Sequence, residues 1–401
     1  MKLLFVHERF GAMAGAEVNV FLTATELKQR GHQVGIIHGE ATGKSEPAWR
    51  ETFSECFAVD QGAAAEVVQR ALSQFQPEIV YVHKMADLRV IEALVRSGRP
   101  LVRMVHDHDL YCLRSYKYNP LTRQICTRAT SSFCIFPCGA TLSRNRAGGL
   151  PFKWVSYRAK QKELALNRRF HRFIVATHYM RNELARNHFD ALKIELHAPV
   201  PRTFDVLPQS SFSERNLILY SGQIIRGKGV DVLLKSLARV QVPFECALFG
   251  EGSARAHCEA SSRELGLGDR VFFKGYVAPE ELKNSFDDGS LAVMSSVWPE
   301  PFGAAGLEAM RHGLPVVAFD AGGIREWLMD GWNGFLVPWM DQAAFAARVE
   351  QLLRDKALAR RLGENGRQLV RDKFDFAQYI SGLEKMFAKV NEEANAKLAY
   401  A

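Results

Sequence analysis

The 401-residue sequence lacks any unbroken run approaching the ~20 apolar residues of a membrane-spanning helix. Its opening, MKLLFVHERFGAMAGAE, holds too short an apolar stretch for a secretory leader, so the expected location is the cytoplasm. No short-period repeat is present, so any likeness between the two halves is expected in architecture only. Cysteines number seven, and in a reducing compartment they are expected as thiols or metal ligands rather than disulfides. Acidic residues are nearly missing from one stretch: between 110 and 172, Glu163 alone opposes thirteen Lys or Arg, a local +12. The whole chain carries +8, so the remainder is net acidic.

With 47% hydrophobic and 24% charged residues the composition is that of a folded protein, and the length suits two domains of roughly 200 residues. KLLFVHE reads as a buried strand, RFGAMAGAE as a glycine-containing turn, and VNVFLTATELKQRG as a helix closed by Gly31. HQVGIIHG, EIVYVHK, LVRMVHD and RFIVATH continue the strand rhythm. LHAPVPRTFDVLPQSSFSERN is aperiodic and rich in proline and serine. The rhythm restarts in LILYSG, FECALFG, RVFFKG, LAVMSS and PVVAFD. The expectation is α/β: two Rossmann-like parallel-sheet domains, 1–199 and 200–375, facing each other across a cleft. A C-terminal helix, 376–401, is expected to return to the first domain, and the basic, cysteine-rich stretch of about 110–172 reads as an insertion there.

Ligands of open parallel sheets bind beyond the carboxyl ends of the strands, which singles out two turns. QIIRGKG follows LILYSG and places Arg226 and Lys228 where they can neutralise a diphosphate, with Gly227 and Gly229 permitting close approach. VWPEPFGAAGLEAM follows LAVMSS, and a helix starting near Phe302 and Gly303 would aim free amides at the same phosphates. Glu300 and Glu308 cannot bind phosphate and so are expected to accept from neutral hydroxyls; their offset spans roughly 12 Å if helical. A sugar nucleotide fits this description.

YSGQIIRGKGVDVLLKSL, VWPEPFGAAGLEAM, HGLPVVAFDAGGIRE and DGWNGFLV resemble the C-terminal half of the retaining glycosyltransferases of family 4, which have the GT-B fold. AGAEVNVFLTATELKQRGHQV and LVRMVHD are similar to the family's first turn and to its histidine-ended strand. The resemblance implies a hexosyltransferase-like activity on a nucleotide-sugar donor. Glu300 then binds donor-sugar hydroxyls, Glu308 the ribose, and Lys228 with Arg226 and the Phe302 and Gly303 amides the diphosphate. It further implies that Gly15 closes on the phosphates, His106 contacts the transferred sugar, and Tyr276 and Val277 lie at the nucleobase. No cofactor or active-site metal is implied. Two positions depart from the pattern: Gln223 stands where the family often has arginine, and Ala14 replaces the first glycine of its Gly-Gly turn.

The matched positions offer no carboxylate nucleophile, so a one-face reaction assisted by the leaving diphosphate is expected. A sugar-nucleotide epimerase on the same fold and an inactive membrane-associated scaffold are alternatives; a phosphorylase would need a pyridoxal lysine, for which there is no motif. In HDHD, alternation puts His106 and His108 on one side and the aspartates on the other, a poor metal cage. Cys112, Cys126, Cys134 and Cys138 fall within 27 residues and read either as a structural zinc site or as four thiols. Read as a helix, the basic segment gathers Phe152, Val155, Ala159, Leu166 and Phe170 into a stripe suited to a core or to a membrane interface. Its charge favours an anionic membrane surface, on the inner face of the cell membrane, or a lipid-linked diphosphate acceptor in cell-surface polysaccharide or lipopolysaccharide assembly. Nucleic acid is not expected, because aromatic interleaving is sparse.

Overall fold

Leu3, Leu4, Phe5 and Val6 are fully buried along β1 (Lys2–Phe10), as a strand covered on both faces requires. In this computed structural model all residues are described except 12–14, 60–63, 120, 145–151, 202–212 and 400–401. Ala14, Arg146 and most of the aperiodic stretch before LILYSG therefore lie outside the described residues. The first sheet continues with β2 (Gln33–Ala41), β3 (Glu55–Ala58), β4 (Ile79–Val82) and β5 (Leu101–Val105). A short hairpin, β6 (Leu142–Arg144) and β7 (Phe152–Trp154), stands apart from it; β8 (Arg172–Val175) and β9 (Ile194–Leu196) complete the sheet. Its order is β3-β2-β1-β4-β5-β8-β9, parallel throughout.

The second sheet runs β10 (Leu217–Ser221), β11 (Glu245–Phe249), β12 (Val271–Gly275), β13 (Leu291–Met294), β14 (Val316–Phe319) and β15 (Gly334–Val337). It is ordered β12-β11-β10-β13-β14-β15, again all parallel. In each sheet the order reverses direction beside the first strand, between β1 and β4 and between β10 and β13. Those switch points are where such sheets present ligand-binding turns.

The chain divides into two compact units: Met1–Ser115 with Arg128–Arg202 and Phe376–Ala401, and Tyr116–Thr127 with Thr203–Asp375. Within the first unit the last helix, Phe376–Ala399, sets Phe387 edge-on to Tyr81 at 5.0 Å and pairs Glu384 with Arg30 at 3.0 Å. The second unit contains a segment that the sequence assigned to the first. Residues 116–127 form a strap in which Tyr118 bridges to Ile125 and, 5% exposed, joins a core with Ile224, Val230 and Leu234. Arg123 pairs with Asp231 at 2.5 Å, and the Tyr116 ring stacks on Trp298 at 5.0 Å. Two apolar anchors around a charged turn have no periodicity, so the sequence offered no sign of this docking.

The basic stretch also differs from expectation. Phe152–Trp154 is a strand, and the helix starts only at Tyr157, capped by the Ser156 hydroxyl accepting from the Ala159 amide. It buries Leu164 and Asn167, while Ala159 of the expected stripe is exposed. Many of the cations are used internally. Arg123 is held as above, Lys162 by Glu92 at 2.6 Å and Arg172 by Glu393 at 2.8 Å, while Arg114 and Arg168 donate to carbonyls. Lys160 is paired with Glu163 at 2.6 Å. Outward-facing residues include the exposed Arg158 and Arg169 and the hairpin, where Leu142 (53% exposed) pairs with Trp154 (70%) across the strands beside Lys153.

Candidate active site

Beyond β10 the chain makes a 3₁₀ turn, Arg226–Lys228, and leaves it through Gly229 at φ 66°. A Cβ on Gly229 would lie 2.1 Å from the Ser295 carbonyl oxygen, and one on Gly227 would lie 2.5 Å from the Trp298 ring. These glycines therefore serve close contact between the two turns themselves; the space read as room for a phosphate is filled by the turn after β13. The Val297 and Trp298 amides donate to the Gly227 carbonyl at 2.9 and 3.1 Å, and the Ser295 hydroxyl to the Lys228 carbonyl at 2.9 Å.

This union brings Lys228 to Glu300. The ammonium donates to Glu300 Oε1 at 2.7 Å, Trp298 Nε1 donates to the same oxygen at 3.0 Å, and the Ser296 hydroxyl joins them. Glu300 is only 3% exposed. Burial alone would push its carboxyl up, but the Lys228 charge and the three hydrogen bonds outweigh burial and hold it below the usual range. The backbone is clamped as well: Glu300 donates to the Ala321 carbonyl at 3.1 Å and accepts from the Gly323 amide at 2.7 Å. Gly322 makes that crossing possible, since its φ is 70° and a Cβ would meet Glu300 backbone at 2.5 Å.

Glu300 thus lies outside the helix, which runs Ala304–Arg311 behind Gly303 at φ 84°. The helical spacing assumed for Glu300 and Glu308 does not hold, because Pro299 and Pro301 flank an extended Glu300 and only Glu308 is helical. The free first-turn amides are displaced too. Phe302 is buried with its carbonyl accepting from Trp327 Nε1 at 2.7 Å, and the first helical residues are Ala304 and Ala305. With Gly303, Ser221, Lys228 and Glu300, those two alanines line a cavity of about 110 Å³. Glu308 sits in the next turn, accepting from Arg311 at 2.7 Å with His312 Nε2 3.7 Å away. Burial pushes that carboxyl up, yet His312 and Arg311 hold it below its ordinary range. Arg226 is exposed, as is Tyr276 (77%), while Val277 is half-buried.

The first unit carries its own polar centre. His106 directly follows β5, and its Nε2 meets His83 Nδ1 at 2.8 Å. Burial pushes His106 down to about 3, helped by His7, Lys84 and Arg103, and burial likewise holds His83 well below its usual value. Both rings are neutral near pH 7, so one donates and the other accepts. Asp107 and Asp109 grip Lys84 at 2.8 and 2.6 Å, and His108 is buried with its Nδ1 2.8 Å from the Tyr111 hydroxyl. Gly15 precedes the helix Ala16–Gln29 at φ 56°, with nothing within 4 Å of where a Cβ would stand.

Cys112, Cys126, Cys134 and Cys138 are free thiols. Among the described residues no three His, Cys, Asp or Glu gather to hold a metal. Cys126 belongs to the strap of the second unit. Sequence reasoning missed Trp298, Ser296 and Tyr116. The indole two residues before Glu300 was visible, but its partner Tyr116 is remote in sequence.

Two Rossmann-like units with parallel sheets and ligand turns at their switch points define a GT-B protein. The family described as Glycosyltransferase Family 4 matches residues 13–197 and that described as Glycosyl transferases group 1 matches 204–369, and the chain belongs to these glycosyltransferases. Alpha-D-kanosaminyltransferase of Streptomyces kanamyceticus is 30% identical over 179 residues, 44% of this chain and 46% of that protein. The lipopolysaccharide core biosynthesis glycosyltransferase LpsE of Rhizobium meliloti is 30% identical over 158 residues, 39% of this chain and 45% of LpsE. The matched stretch thus spans under half the length of these curated relatives. A crystal structure of HepE from Anabaena in complex with UDP superposes with TM-score 0.71 at 20% identity, over 97% of this chain and all of that one.

Proposed function

We propose that the protein is a retaining, metal-independent glycosyltransferase that moves a sugar from a nucleotide-sugar donor to a glycan or lipid-linked acceptor in cell-surface polysaccharide or lipopolysaccharide assembly. The observation that carries this reading is the buried Lys228–Glu300 pair beside the helix-start amides at the β10/β13 switch point. Lys228, Arg226 and the amides from Phe302 to Ala305 would take the diphosphate, Glu300 the sugar hydroxyls and Glu308 the ribose. Gly15 and His106 would act from the first unit, and Tyr276 and Val277 would meet the base. The mechanism is stabilisation of the departing diphosphate by fixed donors, which need no reorganisation as charge develops. HepE, solved with UDP and with UDP-glucose, makes uridine nucleotides the first donors to test. In a thermal-shift screen, a nucleoside diphosphate present at about 100 times its Kd stabilises the fold by about 2.7 kcal/mol. Absence of a shift with uridine, guanosine and adenosine diphosphates alike would overturn the donor assignment.

Among the described residues no helix is long and apolar enough to cross a membrane. We place the protein in the cytoplasm, peripheral on the inner face of the cell membrane, and locate the contact at the β6–β7 hairpin, whose outward Leu142 and Trp154 lie beside Lys153. An amphipathic aromatic next to a cation suits the headgroup region of an anionic bilayer. Vesicle flotation is expected to rise with anionic lipid content and to fall with Trp154→Ser; equal capture by neutral vesicles would count against this placement.

A further inference from the structure

The two oxygens of Glu308 are used differently. Oε1 accepts from Arg311 at 2.7 Å and faces His312 Nε2 at 3.7 Å, while Oε2 takes no hydrogen bond among the described residues. With 29% of the side chain exposed, Oε2 is not sealed off. Arg311 and His312 follow Glu308 by three and four residues, so both lie over its face of the helix and reach the same carboxylate. Burial pushes that carboxyl up, yet His312 and Arg311 hold it below its ordinary range. Near pH 7 it is therefore ionised and can only accept.

His312 is itself pinned from a neighbouring helix. Its side chain is 0% exposed; Nδ1 stands 3.0 Å from Asp287 Oδ1 and the ring stacks on Phe286 at 5.1 Å, both residues closing the helix Pro279–Asp287. An ionised carboxylate only accepts, so Nδ1 carries a proton and donates it to Asp287. The backbone is fixed too, because His312 is the C-cap of the helix Ala304–Arg311, where the Gly313 and Leu314 amides donate to the Met310 and Ala309 carbonyls at 2.9 and 3.1 Å. Nε2 is sealed from solvent and has no hydrogen-bond partner among the described residues; Glu308 Oε1 is the acceptor it faces. At that separation the ring is in van der Waals contact with Oε1 and bars it from turning toward the helix Pro279–Asp287. Bracing one oxygen of a planar carboxylate sets the place of the other. A free glutamate side chain would have to be ordered when a ligand binds, at a cost in affinity that bracing removes.

We infer that His312, anchored by Asp287, is a positioning residue that holds Glu308 Oε2 ready for a ribose hydroxyl and so makes the site select ribonucleotides over deoxyribonucleotides. The inference rests on the proposed ribose contact of Glu308 and adds the two residues that give this contact its selectivity. A hydroxyl donating to a fixed, ionised oxygen forms a strong hydrogen bond, and a ligand lacking that hydroxyl leaves the carboxylate short of a partner.

Titration calorimetry on the whole protein tests this with uridine, adenosine and guanosine diphosphates, each beside its 2′-deoxy and 3′-deoxy counterparts. For the base that binds, at least one deoxy form should bind about tenfold or more weakly. His312→Ala should shrink that ratio by about threefold or more, the cost of ordering one long side chain on binding. The Asp287 side chain is 35% exposed, so Asp287→Ala serves where His312→Ala fails to fold, and should move the ratio the same way. An unchanged ratio in either folded variant overturns the inference even if both nucleotides bind more weakly, since a packing role alone lowers both affinities together. Glu308→Ala separates the two readings. If the full ratio survives in it, the ribose contact falls; if Glu308→Ala alone abolishes the ratio, the contact stands and the positioning role falls. An unsubstituted protein that binds ribo and deoxy forms alike overturns both.

Discussion

Lys228→Ala should lower turnover at saturating donor by about 10²-fold or more, the loss typical of removing one fixed donor from a developing negative charge. Activity within a few-fold of the unsubstituted protein would remove Lys228 from the chemistry. The same change strips the buried Glu300 carboxylate of its counter-charge, which costs about 3 kcal/mol or more when one partner of a buried pair is deleted. The pH dependence should reverse with it. At present the Glu300 carboxyl titrates below its unfolded-state value, so the pair contributes stability above that value and loses it as pH falls through the folded one. Without Lys228, burial dominates, the carboxyl titrates above the unfolded value, and stability is lost as pH rises through the new one. Chemical denaturation should therefore find the variant's deficit larger at about pH 8 than at about pH 5. Adding Glu300→Gln should recover stability but not turnover, separating the two roles.

Tyr118→Ala should destabilise the second unit by about 3 kcal/mol or more, since the side chain is 5% exposed within that unit's core. Its reach should extend to the active site. Tyr116 stacks on Trp298, and Trp298 donates to Glu300, so a loosened strap lets the indole depart from its carboxylate. Red-shifted tryptophan emission and a raised KM for donor would accompany the lower melting point. A variant with unchanged emission and KM would confine the strap to a packing role.

The central strands of both sheets were legible because β1, β4 and β5, like β10, β13 and β14, are buried on both faces and read as continuous apolar runs. The edge strands of the first sheet were not: β3 and β9 span four and three residues and mix buried with exposed positions. Lys228 and Glu300 were legible as residues, since post-strand glycine turns announce a site, but their direct contact was not. That contact depends on Gly227 and Gly229 admitting Trp298 and Ser295, a complementarity between segments about 70 residues apart. The basic stretch misled for the opposite reason. Composition counts charge, whereas pairing with Glu92, Asp231 and Glu393 decides how much of it faces solvent.

The strap has a consequence for synthesis. Tyr118 leaves the ribosome well before Ile224 and Leu234, and the helix Phe376–Ala399 that packs in the first unit emerges only after the whole of the second. At roughly 5–20 residues per second, Tyr118 waits at least several seconds for its pocket. Neither unit can close in the order it is made, so a holdase that shields apolar side chains on the nascent chain should raise the yield of active protein more than it would for a simple tandem of two domains.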